Sequence, residues 1–156
     1  MLAGDKFHLE PQADGDLGRR LSLFFVQRFV EGARRVVVVG SDSPTLPLPY
    51  IDDAFSALDD ADVVLGPAMD GGYYLIGLRE PMPELFERVD WSGERVLRQT
   101  MERMGDARRL ALLPPWYDVD RRVDWEMLVG HLAALRKVGI DPQAPRTESL
   151  AAEVPL

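Results

Sequence analysis

The chain has no cysteine, which removes disulfide staples, thiolate nucleophiles and cysteine zinc sites together. Its two histidines, His8 and His131, have no metal-type partner in sequence and read as structural. There is no Ser-His-Asp set, no glycine-rich phosphate loop and no HExxH pattern, so hydrolase and zinc-enzyme readings have little support. No apolar run approaches the roughly 20 residues that span a bilayer. Met1–Lys6 also lacks the apolar stretch of a secretion signal, and the reading is cytoplasmic. The arginines are scattered (Arg19, Arg34, Arg79, Arg108, Arg121) and form no basic block. With a net charge of -8, that argues against nucleic-acid binding, which needs a basic surface.

The 156 residues suffice for one domain with a sizeable core, and 46% hydrophobic with 28% charged residues is ordinary for a globular protein. Two apolar runs dominate. Val36-Val37-Val38-Val39 ends in Gly40-Ser41-Asp42-Ser43-Pro44, and Val63-Val64-Leu65 ends in Gly66-Pro67-Ala68-Met69-Asp70-Gly71-Gly72. A buried strand that delivers an Asp to the carboxyl end of a parallel sheet is how open α/β folds place a ligand or metal site.

Around these runs, Leu17, Leu21, Phe24, Phe25 and Phe29 predict a helix stopped near Gly32. Further helices are expected over about Tyr50–Leu58, along the Leu97, Thr100, Met101 and Met104 face, and from about Arg121 to Lys137. Strands are expected at Arg35–Val39, Val63–Leu65, Tyr73–Leu78 and Leu110–Leu113, with at most a short one near Phe7–Leu9. Alternating strands and helices predict a layered α/β sheet over residues 1–139, followed by a mobile tail over 140–156 that carries Pro142, Pro145 and Pro155.

Each candidate carboxylate has two readings. Asp42 is a cap or Asx-turn residue, or a hard oxygen ligand for a cation at the sheet edge. Asp70-Gly71-Gly72 is a hairpin turn, or a turn whose glycines admit a ligand while Asp70 meets a sugar hydroxyl. In Tyr117-Asp118-Val119-Asp120, Asp120 caps the last helix and Asp118 favours its dipole, or Asp120 faces Asp42 as a second metal ligand. Asp90-Trp91-Ser92-Gly93 reads as a cap with an aromatic anchor, and Trp91 and Trp116 as core.

Gly15-Asp16-Leu17-Gly18 with Arg20-Leu21, then Gly40-Ser41-Asp42-Ser43-Pro44, then Gly66 to Gly77, then Trp91-Ser92, then Tyr117-Asp118-Val119-Asp120 occur in order. In that order, over roughly residues 10–135, the chain resembles a bacterial family of glycosyltransferase-like proteins. That family is related to the molybdopterin-cofactor and phospholactate nucleotidyltransferases, with some members linked to arsenosugar biosynthesis. The resemblance implies a three-layer α/β/α fold of the nucleotide-diphospho-sugar transferase type (GT-A, Rossmann-like), with a mixed, mostly parallel sheet. It implies Mg²⁺ or Mn²⁺ held by Asp42 and Asp120, Asp70 as the catalytic group toward the acceptor, and Ser41, Ser43, Gly71, Gly72 and Asp16 in substrate binding.

The expected partners are a nucleotide-sugar or nucleotide and a small-molecule acceptor. The expected reaction is sugar transfer; transfer of a nucleotide to a phosphorylated acceptor uses the same carboxylates. Two departures stand out: Arg121 replaces the usual Thr, and nothing in residues 1–16 matches the family's basic glycine loop, Phe-Ala-Lys-x-Pro-x-x-Gly-x-x-Lys-Thr-Arg. The chain therefore reads as the C-terminal two-thirds of such a protein, lacking the usual first strand, through a late start or a real loss. In the latter case the expectation is an inactive remnant whose open sheet edge meets a protein partner or a second copy.

Overall fold

The computed structural model describes residues 7–91 and 93–154. The readings placed on Met1–Lys6, on Ser92 and on Pro155 lie outside these residues. The elements run α1 (Leu17–Val30), β1 (Val36–Val39), α2 (Pro49–Ala57), β2 (Val63–Pro67), β3 (Tyr73–Leu78), a 3₁₀ turn (Pro83–Phe86), α3 (Val96–Met104), β4 (Leu110–Leu112), α4 (Arg122–Lys137) and α5 (Pro145–Glu153).

β-branched runs form β1 and β2 because their side chains pack well on a pleated surface. In β2 the two-residue period sends Val63 and Leu65 to one side and Val64 to the other, all fully buried. On the first side they meet Leu21 and Phe25 of α1, Met82, Leu85 and Phe86, with Leu97, Met101 and Met104 of α3 packed around them. On the second side Val64 meets Ala54 of α2 and Leu58 just beyond its end. The sheet thus lies between two helical layers, as expected.

The strand order is β1-β3-β2-β4. β3 pairs antiparallel with both β1 and β2, whereas β2 and β4 are parallel. The sheet is mixed, and β1, β2 and β4 all point the same way. Because β3 slots between β1 and β2, however, two of the three pairings are antiparallel. The β2–β3 connection is short enough to be a hairpin, and only antiparallel neighbours can be joined that way. One consequence matters for the site: the carboxyl ends of β1, β2 and β4 gather at a single edge.

α1 starts where the Asp16 carboxylate accepts the Arg19 amide at 2.8 Å, and it ends just before Gly32, whose φ of +95° lets the chain turn away. At most a short strand was open at Phe7–Leu9, and none forms; the stretch is exposed and without a ladder partner. The segment after Gly139 contains helix α5, tied to α4 by two bonds from Arg136 to Glu148, both 2.7 Å. Pro145 sits at its first turn, where a missing N–H costs nothing.

At the other end of the sheet, β2 and β4 are clamped by Asp62. Its carboxylate accepts the Arg109 amide at 2.9 Å and the Arg109 guanidinium at 3.3 Å. The amide bond chiefly, then the side-chain bond, holds the Asp62 carboxyl below the usual carboxylate range. A depressed folded pKa gives stability that is present above the unfolded value, about 3.9, and lost as pH falls through the folded one. Asp62→Asn is therefore expected to cost about 1 kcal/mol at neutral pH, discounted for exposure, and nothing once the wild-type carboxyl is protonated. Urea unfolding midpoints across that acid window measure it; an equal loss at all pH values would refute it. Among the described residues, no helix is long and apolar enough to cross a membrane.

Candidate functional site

The β2–β3 connection is a tight turn. The Ala68 amide donates to the Gly72 carbonyl at 3.0 Å, and the Gly72 amide to Asp70 Oδ1 at 2.8 Å. Gly71 has φ +97°, a conformation that suits glycine. A methyl group there would also collide with the Glu94 carbonyl, because the segment leading into α3 lies directly on the turn. The Leu97 amide donates to the Gly71 carbonyl at 2.9 Å.

The chain beyond β4 stays alongside β2. Trp116 bridges Ala68, its amide donates to the Pro67 carbonyl at 3.0 Å, and the Met69 amide donates to the Trp116 carbonyl at 3.1 Å. The Val119 amide donates to the Asp42 carbonyl at 2.9 Å, tying the same segment to the loop after β1. The Tyr117 hydroxyl reinforces this link, lying 2.6 Å from Thr45 Oγ1 and 2.8 Å from Nδ1 of His131 on α4. His131 thus holds Tyr117 in place from α4.

These contacts bring the carboxylates of Asp70, Asp118 and Asp120 together, with one oxygen of each within 4.8 Å of the others. Burial first, then the neighbouring charges of Asp70, Asp120 and Asp124, push the Asp118 carboxyl above its usual value. Three hard oxygen donors that repel one another suit a divalent cation.

Asp42 lines the same cavity but is not part of that close group; its Oδ1 accepts the Ser41 hydroxyl at 2.9 Å. The cavity, about 500 Å³, also takes in Ser43, Gly72, Tyr73, Trp91 and Glu94. Burial pushes the phenols of Tyr73 and Tyr74 up to about 12, so neither supplies a phenolate base near neutral pH.

Of the residues read from sequence, Asp42, Ser43, Asp70, Gly72 and Asp120 line the cavity. Three do not: Ser41 bonds Asp42, Gly71 packs beneath Glu94, and Asp16 is engaged as the α1 cap. In sequence Asp118 reads as favouring the helix dipole, and Asp120 as the cap or a metal ligand. The cap is in fact made by Asp124, which accepts the Arg121 amide at 2.9 Å and the Asp120 amide at 3.3 Å. That carboxylate three residues after Arg121 was the signal: it frees both earlier aspartates. Trp91, read as core, is half-buried and lines the cavity.

A solved structure from Desulfovibrio desulfuricans G20, described as a "putative nucleotide-diphospho-sugar transferase", is similar to this chain, with 33% identity and a TM-score of 0.77. The similarity covers 91% of this chain and 64% of that one, so the chain spans less than two thirds of that relative's length. No curated protein matches. The model of the DUF2064 family, described as "uncharacterized protein conserved in bacteria", matches residues 2–93. The order of motifs, the mixed sheet and this match agree: the chain belongs to the DUF2064 family.

Proposed function

We propose that the cavity is a transfer site, where a nucleotide-diphospho-sugar gives its sugar to a small acceptor in the presence of Mg²⁺ or Mn²⁺. The observation that carries this reading is the convergence of Asp70, Asp118 and Asp120 at the common carboxyl edge of β1, β2 and β4. The likeness to the Desulfovibrio protein supports the donor class.

The donor set fits the cation: three carboxylates, no nitrogen or sulfur ligand, and an Asp118 whose negative charge is disfavoured by its neighbours. Asp70, Asp118 and Asp120 would hold it. A bound divalent cation would neutralise charge on the leaving diphosphate. The protein's own groups do the rest. Gly72 holds Oδ1 of Asp70 and so fixes that carboxylate at the cavity, and an Asp70 oxygen not taken by the cation would accept a bond from the acceptor hydroxyl. Asp42, fixed by Ser41, faces the same space.

The test is calorimetry on the whole chain with nucleoside-diphospho-sugars and nucleoside triphosphates, each with and without Mn²⁺. The expected result is Mn²⁺-dependent binding of a diphospho-sugar. Tight binding of triphosphates alone would favour nucleotide transfer and overturn the proposal.

A further inference from the structure

Trp91 is held by packing on several sides. Its ring stands edge-on to Tyr73 at 6.3 Å and lies 6.2 Å from Phe86. On the α1 side, Gly18 leaves the space that the indole Nε1 occupies; a methyl group at Gly18 would collide with it. The indole is therefore a fixed wall of the cavity, beside a lining with a one-sided polar character. Asp42, Asp70, Glu94, Asp118 and Asp120 contribute five carboxylates, and no Lys, Arg or His joins them among the described lining residues. Arg121 borders the adjoining cavity and is drawn toward Asp124 at 3.5 Å.

We infer that the acceptor is a sugar or polyol without phosphate, seated with a C–H face on Trp91 and its hydroxyls toward these carboxylates, and that acceptors bearing phosphate are turned away. This rests on the transfer reading above and names its acceptor class. Ionised carboxylates only accept hydrogen bonds, so they need a ligand that donates them. Hydroxyls donate. A phosphate dianion offers acceptors only and adds charge of the same sign. The cation would not reverse this, because a donor diphosphate brings negative charge that offsets it. Glu94 makes no hydrogen bond or ion pair within the described residues, which leaves both its oxygens for a ligand. A flat aromatic wall with a few polar groups is the usual composition of a small-ligand site.

The test is ligand-observed NMR on the whole chain in Mg²⁺, using a panel of methyl hexosides, their 6-phosphates and the matching amino sugars. At least one neutral member is expected to bind tenfold or more tightly than its 6-phosphate, and the matching amino sugar, whose ammonium also donates, to bind no more weakly than the neutral sugar. Trp91→Ala is expected to weaken that binding at least tenfold while Mn²⁺ affinity, read separately by calorimetry, is unchanged. Should Trp91→Ala fail to fold, Glu94→Gln at an exposed, unpartnered position is expected to narrow the gap between neutral and phosphorylated ligands. Phosphates binding as well as neutral sugars, amino sugars binding tenfold more weakly than neutral ones, no neutral binder, or a gap untouched by Glu94→Gln would each overturn the inference. Failure of the transfer reading looks different: no diphospho-sugar binds in Mn²⁺, whatever the ranking of acceptors.

Discussion

Changing Asp118 and Asp120 together to Asn is expected to lower Mn²⁺ affinity by about a hundredfold or more, with the protein still fully folded. Two of the three close carboxylates lose their charge, and a neutral amide oxygen is a far weaker partner for a divalent ion. The fold should not suffer. Neither side chain caps α4, since Asp124 does that, and the charges that push Asp118 up are relieved rather than lost. Thermal unfolding without metal should therefore be unchanged or shifted slightly upward. Asp42→Asn is expected to have a clearly smaller effect on the metal, because Asp42 stands outside the close group and is bonded to Ser41. Calorimetric titration of the three proteins decides. If Asp42→Asn abolished Mn²⁺ binding and the double variant left it intact, the metal centre would have been placed on the wrong carboxylates.

The second large effect concerns stability. Gly71→Ala is expected to cost about 3 kcal/mol, because it forces a side chain into a left-handed conformation and against backbone that cannot easily move. The φ of +97° is one part of the cost, and the Glu94 carbonyl in the path of the new methyl is the other. Relief would require lifting the start of α3, which breaks the bond from the Leu97 amide to the Gly71 carbonyl. Gly72→Ala is the control. Its nearest obstacle is the Asp70 carboxylate at 3.2 Å, a side chain that can shift, and the expected cost is under about 1 kcal/mol. Urea denaturation of both variants measures the contrast, and equal losses would show that the turn is not pinned by the segment above it.

Most of the sheet and its helices could be read from pattern alone. The Val36–Val39 run, the alternation of Val63 and Leu65 against Val64, and the spacing of Leu21 and Phe25 each have a single comfortable solution, since a slip would put apolar surface in water. Asp42 and Asp70 at strand ends were legible for the same reason. Asp118 was not. In sequence it looks like any acidic residue ahead of a helix, and local chemistry favours that reading.

Local pattern in the sequence is enough for an α/β layered fold and for carboxylates after β1 and β2, and the lack of cysteine excludes thiol chemistry. Those properties depend on neighbours a few residues apart. Tertiary structure decided which carboxylates meet. It did so because β4 lies parallel to β2 and the chain beyond it is bonded to Pro67, Met69 and Asp42. Those pairings join residues about fifty to eighty positions apart, a range over which no local preference acts, and they set Asp118 and Asp120 beside Asp70 while leaving Asp42 at the cavity wall.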